Sequence, residues 1–156
     1  MAIAETIKNY LEQKSIQYYV VPHPHTGSSH ETAEACHVEE DHIAKAVMVK
    51  DKTGYAMLLV PAVNYVEMKH VRKELDRDLE LVEEAEFAKL FPDCEAGAVP
   101  PLGPAYQIET CVDDGLSTLA NVFFESGDHE HLVHVSGDDF KTLLSGVRHG
   151  NYCDVI

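Results

Sequence analysis

The sequence of 156 residues lacks a long apolar run. A helix that spans a bilayer needs about 20 consecutive apolar residues, and no segment approaches that length. The first residues, MAIAETIKNYLEQK, also lack the basic and then apolar profile of a secretory signal. These absences exclude an integral membrane protein and predict a cytoplasmic chain with no membrane partner.

Paired cysteines and compact catalytic motifs are missing as well. The four cysteines, Cys36, Cys94, Cys111 and Cys153, are scattered without a CxxC pair, which argues against a redox or zinc-ribbon site. The sequence contains neither an HExxH metal motif nor a GxSxG nucleophile elbow. A hydrolase with this sequence is therefore expected to activate water without a covalent intermediate.

Histidine, by contrast, is abundant, with ten residues in the chain. Two groups stand out: His23, His25 and His30, and His129, His131 and His134. Imidazole is a common metal ligand and the natural acid-base group near neutral pH. Because neither group has a known compact metal-binding spacing, a metal site is the minor interpretation and surface histidines are the main one.

Positive charge is scarce, with 12 Lys and Arg residues against 27 Asp and Glu residues and a net charge of −15. Proteins that bind a nucleic-acid backbone are usually basic, because phosphate contacts supply much of the affinity. Four basic residues nevertheless recur at helical spacing, namely Lys69, Arg72, Lys73 and Arg77. They form either an ordinary solvated helix face or a local basic patch suited to weak, transient contact with a nucleic-acid end.

The chain shows no repeat, linker or low-complexity tract, so residues 1–156 are expected to form a single domain. Apolar periodicity and turn residues predict the secondary structure. The predicted helices cover residues 2–14, 29–36, 66–75, 83–91 and 136–144, and the predicted strands cover residues 16–21, 43–50, 55–60, 79–82, 105–109, 121–125 and 132–135. Because strands and helices do not alternate strictly, the pattern predicts an α+β domain with a mixed or antiparallel sheet.

Lys45 lies inside an apolar strand pattern, IAKAVMV, with an alanine on each side. Lysine is rarely buried unless it is paired or functional, because removing an ammonium group from water is costly. The small neighbours would leave open space around the ammonium group, as a concave site requires. The same pattern suits a lysine on the solvent face of a half-buried strand, and this segment alone slightly favours that second interpretation.

Prolines and glycines are concentrated in residues 94–104, CEAGAVPPLGP. Consecutive prolines fix φ and remove backbone donors, and the flanking glycines allow the backbone to approach a ligand closely. The segment from Gly97 to Gly103 is therefore either a rigid ligand-binding loop or a structural crossover between a helix and a strand.

In their order and spacing, these segments resemble the YbaK-like family of aminoacyl-tRNA deacylases, which includes the editing domain of bacterial prolyl-tRNA synthetases and free-standing relatives. The similarity extends over nearly the whole chain. Its most specific part is GAVPPLG at residues 97–103, which matches the GxxxP loop of the family. The other matching segments are HP at residues 23–24, ETAEA at 31–35, AKAV at 44–47, LVPA at 59–62, VD at 112–113 and FFESGDH at 123–129.

The resemblance implies an α+β fold in which a mixed, barrel-like β-sheet is flanked by helices. It also implies that Lys45 is central to deacylation and lies near the 3′-terminal adenosine of the tRNA, and that the loop binds the aminoacyl group, especially its amino group. A pocket histidine is expected after a late strand, which places it at His129, with His131 as the alternative. The substrate-binding residues that the resemblance indicates are Thr32, Gly97, Ala98, Val99, Pro101, Gly103 and His129.

The resulting hypothesis is a free-standing trans-editing hydrolase that removes a small amino acid, such as alanine or cysteine, from a mischarged tRNA, chiefly tRNA(Pro). The resemblance implies that water attacks without a metal or other cofactor, assisted by Lys45 and residues 97–101. The expected partner is the acceptor end of aminoacyl-tRNA, held weakly by the basic patch; an aminoacyl-tRNA synthetase is a second candidate partner, and DNA is not expected. Two alternatives remain open: a non-catalytic module on the same fold that binds a ligand or a protein, and, at lower rank, a histidine-based metal protein.

Overall fold

The computed structural model describes residues 3–25, 28–95 and 97–153. The helices defined there are α1 (Glu5–Gln13), α2 (Ser29–Cys36), α3 (Met68–Leu75), α4 (Glu84–Leu90) and α5 (Gly137–Leu143). The strands are β1 (Tyr19–Pro22), β2 (Ala44–Asp51), β3 (Gly54–Pro61), β4 (Glu80–Leu81), β5 (Glu109–Asp113), β6 (Asn121–Glu125), β7 (His131–Ser136) and β8 (Arg148–Gly150). Ala2 of the first predicted helix and Thr26, Gly27 and Ala96 of the predicted loops lie outside the described residues.

The larger sheet has five strands in the order β4-β2-β3-β5-β8. Strands β2 and β3 form a tight antiparallel hairpin in which Asp51 pairs with Gly54, so that two residues make the turn. Gly54 has φ +137°, in the region that glycine adopts more readily than other residues. Strand β5 pairs with β3 in parallel, and β8 pairs with β5 in parallel. The sheet is therefore mixed, and the α+β class predicted from the sequence is confirmed.

The smaller sheet has three antiparallel strands in the order β1-β7-β6. An isolated parallel bridge between Ile43 and Phe123 joins it to the start of β2. Within the described residues, the barrel-like arrangement that the resemblance implies thus takes the form of two open sheets connected at one point.

Both faces of the central hairpin are covered by apolar side chains. Successive strand residues point to opposite faces, so Ala44 and Met48 join the main core, which includes Ile7 of α1, whereas Val49 packs in a second cluster with Val71 of α3. Each fully buried side chain of this kind contributes about 1.5–3 kcal/mol relative to an exposed one. Burial on both faces makes the hairpin a rigid support for residues that project from its edges.

Helix α2 begins and ends at the residues that the sequence predicts. The side chain of Ser28 accepts a hydrogen bond from the Glu31 amide, which satisfies one of the free amides of the first turn. His37 follows the helix in the left-handed conformation, which closes its C-terminus. The capping pattern therefore fixes the position of Thr32, one turn into the helix.

The predicted strand at residues 105–109 is wrong. Gly103–Tyr106 form a 3-10 helix, and the amide of Ile108 donates to the carbonyl of Gly103, so strand β5 begins only at Glu109. The predicted strand at residues 16–21 is also too early. The amide of Ile16 donates to the carbonyl of Leu11 and closes the end of α1, and β1 starts at Tyr19. Strand β8 was not predicted, because three residues carry too little apolar pattern.

None of the helices that the structure describes combines the length and the apolar character needed to cross a bilayer.

Candidate functional site

A cavity of about 290 Å³ lies where β2, α2 and the segment after α4 meet. Its wall residues are Ser29, Lys45, Ala46, Val82, Phe87, Ala88, Phe91, Cys94, Glu95, Gly97 and Val99. The cavity brings together Lys45 and the proline-glycine loop, which are far apart in the sequence and were identified there as separate features. A concave site with apolar walls and a few polar groups is the usual form of a small-molecule site.

Lys45 is half-buried at the edge of this cavity. Its neighbours Ala44 and Ala46 face the main core, so its side chain leaves β2 on the opposite face. The ammonium nitrogen lies 5.8 Å from the centroid of the Tyr65 ring, within the range of a cation–π contact. Burial lowers the pKa of Lys45, while the charge of Cys153 and that of Glu40 oppose the effect. The ammonium group is therefore less hydrated than that of a surface lysine, which strengthens its interaction with an anionic group.

Gly97 occupies a backbone conformation that glycine tolerates best, with φ +81°. A Cβ atom at this position would lie 3.3 Å from both Cε1 and Nε2 of His129. The close approach places the predicted pocket histidine directly against the predicted loop. His129 itself has φ +61°, and its ring makes an edge contact with His25 at 5.3 Å between centroids.

His131, the alternative pocket histidine, is held differently. Its Nδ1 lies 2.8 Å from Oδ2 of Asp128, and it begins strand β7. Of the two candidates, His129 is therefore the one that lies against Gly97.

The rest of the loop is buried rather than open to the cavity. Gly97 and Val99 line the cavity wall, whereas Ala98, Pro101 and Gly103 are buried behind it. The amide of Ala98 donates to the carbonyl of Glu95, and a Cβ atom at Gly103 would overlap the hydroxyl of Thr110. The five predicted substrate-binding residues of the loop thus divide into two that line the cavity and three that are buried behind them.

Thr32, also predicted to bind substrate, belongs to a buried polar cluster behind α2. Its hydroxyl donates to Oε1 of Glu125 at 3.1 Å, and Nε2 of His23 lies 3.6 Å from the same oxygen. His23 Nδ1 donates to the carbonyl of Pro24 at 2.7 Å, which fixes the proton on that nitrogen. Burial raises the pKa of Glu125, and the charge of His23 opposes this. Glu125 was not predicted as a site residue, although a carboxylate that ends an apolar strand, NVFFE, was a usable signal.

The aromatic wall of the cavity was also missed. Phe87 and Phe91 lie one helical turn apart with ring centroids 5.4 Å apart, and Phe91 contacts the ring of Tyr106. Their spacing indicates an amphipathic helix, and nothing in the sequence distinguishes a cavity wall from ordinary core. Next to them, burial raises the pKa of the Cys94 thiol to about 12, so this cysteine is not a thiolate nucleophile near neutral pH.

The predicted basic patch is only partly available for a partner. Lys69 and Lys73 are exposed on α3. Arg77 follows the helix and donates to Asp51 and Glu109, and Nε of Arg72 donates to the carbonyl of Leu79. Two of the four side chains therefore already have hydrogen-bond acceptors within the chain.

The two histidine groups do not come together as metal sites within the described residues. The group found there with ligand atoms close enough to hold a metal ion is Glu39, Asp41 and His42, in which ligand atoms lie within 4.8 Å of one another. None of these three residues is among those that line the cavity. Exposed acidic groups of this kind are common without a metal ion, so the cluster carries no function here.

Solved structures share this fold along nearly the whole chain. A proposed trans-editing enzyme for prolyl tRNA synthetase is 21% identical, with a TM-score of 0.82 and coverage of 97% of each chain. A hypothetical protein is 19% identical, with a TM-score of 0.85 and coverage of 96% of this chain and 100% of its own. A third structure, proposed to be a signal transduction protein of Marinobacter aquaeolei VT8, is 15% identical with a TM-score of 0.79, and the matched region is 30% of that chain.

No curated protein matches the sequence significantly. The profile of the aminoacyl-tRNA editing domain matches residues 23–143, a span that contains Lys45, the Gly97 loop and His129. The chain therefore belongs to the aminoacyl-tRNA editing domain family.

Proposed function

We propose that this chain is a free-standing trans-editing hydrolase that cleaves the ester bond between a small amino acid and the 3′ end of a mischarged tRNA. The observation that carries the proposal is the meeting of Lys45 and Gly97 at one cavity. A cation supplies charge stabilisation and a rigid loop supplies positioning, and both favour ester hydrolysis without a covalent intermediate.

The cavity favours a small aminoacyl group. Its volume is about 290 Å³, and Val82, Phe87, Phe91 and Val99 make much of its wall apolar. A synthetase site gains only about 1–3 kcal/mol of discrimination for each methylene group, so a second site that accepts the smaller product restores accuracy. Alanine and cysteine on tRNA(Pro) are the proposed substrates, and a prolyl-tRNA synthetase is the proposed partner. Both assignments draw support from the similar structure proposed to act for that synthetase.

In the proposed reaction, the oxygen of a water molecule attacks the ester carbonyl carbon. The bond from that carbon to the ribose oxygen then breaks, the ribose oxygen takes one proton of the attacking water, and the hydroxyl of that water stays on the carbonyl carbon, so the products are the free amino acid and uncharged tRNA. Lys45 offsets negative charge, either on the developing oxyanion or on the terminal ribose-phosphate. The loop around Gly97 holds the aminoacyl group, and His129 lies against it.

The experiment that tests this function is hydrolysis of alanyl- and cysteinyl-tRNA(Pro) by the wild-type protein and by Lys45→Ala. We expect Lys45→Ala to reduce kcat/KM by about 10²–10³-fold, the loss typical of one oxyanion-stabilising group. The matched control is Lys52→Ala, an exposed lysine in the hairpin turn, which should retain full activity. Wild-type hydrolysis no faster than the spontaneous rate on both substrates would contradict the catalytic assignment.

A second candidate function is a non-catalytic binding module. The net charge of −15 favours it, since an acidic surface repels RNA at long range. The matched 30% of the longer chain proposed to act in signal transduction also indicates that the fold occurs as one part of a larger protein. Binding of a small aminoacyl ligand without turnover would favour this second function, whereas turnover that depends on Lys45 favours the first.

A further inference from the structure

Tyr65 is the most exposed of the large hydrophobic side chains in the described part of the chain, with 75% of its surface in water. It lies in the loop between β3 and α3, where Val63 is also 40% exposed. Leaving an aromatic ring in water forfeits the free energy that its burial would provide. A ring exposed to this extent therefore calls for a functional explanation.

The ring of Tyr65 is close to the candidate catalytic cation. Nζ of Lys45 lies 5.8 Å from its centroid, and Lys45 in turn contributes to the cavity wall. Aromatic rings stack on nucleic-acid bases, and neighbouring cations contact the phosphate backbone. The pair therefore presents, side by side, the two groups that bind a single-stranded nucleotide.

We propose that the Tyr65 ring stacks on the terminal unpaired base of an RNA acceptor strand, while Lys45 faces the ribose-phosphate attached to that base. This inference rests on the proposed function and adds Tyr65 as a residue that positions the last nucleotide of the substrate.

The charge distribution gives this contact particular weight. The chain has a net charge of −15, and Arg77 is already bound to Asp51 and Glu109. Among the described residues that line the cavity, Lys45 is the cation that could attract the RNA backbone. Stacking on an aromatic ring does not depend on net charge, and it tolerates any base because every base has a π-face. A stacking contact thus allows an acidic protein to bind an RNA end.

The absence of tryptophan makes the contact directly measurable. Tyr65→Trp would carry the sole tryptophan of the chain, and stacking with a base quenches indole fluorescence. We expect saturable quenching by an uncharged RNA oligonucleotide that ends in CCA. The control is Tyr19→Trp, which replaces another exposed tyrosine, 57% accessible, on the smaller sheet, and which should show no saturable quenching.

Three results of this experiment would overturn the proposal. The first is no quenching of Tyr65→Trp by the oligonucleotide, and the second is equal quenching of the Tyr19→Trp control. The third is that Tyr65→Trp binds free adenosine monophosphate as tightly as the oligonucleotide, which would indicate a site for a free nucleotide rather than for an RNA end. Because the measurement needs no catalysis, quenching in a protein that hydrolyses none of the charged tRNAs would uphold the stacking site while the deacylase assignment failed.

Kinetics provide the second test. Tyr65→Ala is expected to raise KM for charged tRNA by about tenfold with kcat nearly unchanged, because the lost contact positions the nucleotide and does not touch the ester. Tyr65→Phe keeps the ring and should behave as wild type, as should the control Tyr19→Ala. An active wild type and an unchanged KM in Tyr65→Ala would overturn the stacking site and leave the deacylase assignment standing.

Discussion

Gly97 combines two constraints in one residue. Its backbone has φ +81°, and any side chain would meet the imidazole of His129 at 3.3 Å. Gly146 has nearly the same backbone conformation, φ +82°, with open space where its side chain would be. The two glycines therefore allow backbone strain to be separated from contact at the site.

We predict that Gly97→Ala and Gly146→Ala each lower the free energy of unfolding by about 1–2 kcal/mol, the cost of a left-handed conformation for a residue with a Cβ atom. Only Gly97→Ala should impair deacylation, by up to about a hundredfold in kcat/KM, because it displaces His129 and the loop. Urea unfolding and initial rates on alanyl-tRNA(Pro) measure the two effects. Equal deacylation rates of the two variants would contradict a role for Gly97 in the site.

The sequence identifies residues that are chemically unusual for their surroundings. Lys45 stands out within an apolar strand, and Gly97 stands out within a proline-rich loop, so both could be predicted. Phe87 and Phe91 could not, because an apolar residue in a cavity wall and one in a closed core follow the same helical spacing. Their location depends on tertiary packing, which local pattern does not contain.

At the scale of elements, predictability follows the strength of local signals. The hairpin of β2 and β3 was predicted because two apolar runs flank a short turn that ends in Gly54. The segment before β5 was misassigned because Pro104 lies in the first turn of a 3-10 helix, Gly103–Tyr106, whose residues also fit a strand pattern. Strands β3 and β5 pair in parallel and are distant in sequence, so local sequence patterns do not predict that they pair.

One ion pair joins the end of the hairpin to the end of α3. Arg77 donates from Nε to Oδ2 of Asp51 at 2.8 Å and from Nη2 to Oδ1 at 2.9 Å, a bidentate contact. The hydrogen bonds from Arg77, and then those from Thr53, hold the pKa of Asp51 well below its usual range. The carboxylate is thus favoured in the folded state relative to the unfolded chain.

We predict that Asp51→Asn lowers the urea midpoint at pH 7 and that the difference from wild type shrinks as the pH falls. A carboxyl group with a depressed pKa stabilises the folded state above its unfolded pKa of about 3.9 and loses that contribution as it becomes protonated. The control, Asp78→Asn, removes an exposed carboxylate nearby and should show a much smaller effect. A difference that does not change with pH would contradict the ionic origin of the effect.

At the scale of the whole molecule, the excess of acidic residues sets the conditions for meeting RNA. Proteins that neutralise 6–10 phosphates lose about 10³–10⁵-fold in affinity between 50 and 200 mM salt. This chain has a net charge of −15 and few cations near the cavity. Its approach to RNA should therefore release few counterions.

We predict that KM for charged tRNA is nearly independent of salt over that range, because screening weakens both the long-range repulsion and the few local attractions. The measurement is KM at several potassium chloride concentrations, with kcat as the control for effects on chemistry. A steep rise of KM with salt would indicate many phosphate contacts, and the basic residues of α3 would then be the main candidates for making them.

The smaller sheet pairs an early strand of the chain with a late one, since Pro22 of β1 lies opposite His131 of β7. During synthesis at about 5–20 residues per second, β1 must therefore wait for several seconds before its partner leaves the ribosome. The hairpin of β2 and β3 can form in that interval, but the contact between Gly97 and His129 cannot. The cavity is consequently assembled among the last steps of folding, so that a nascent chain has Lys45 in place well before it has a site.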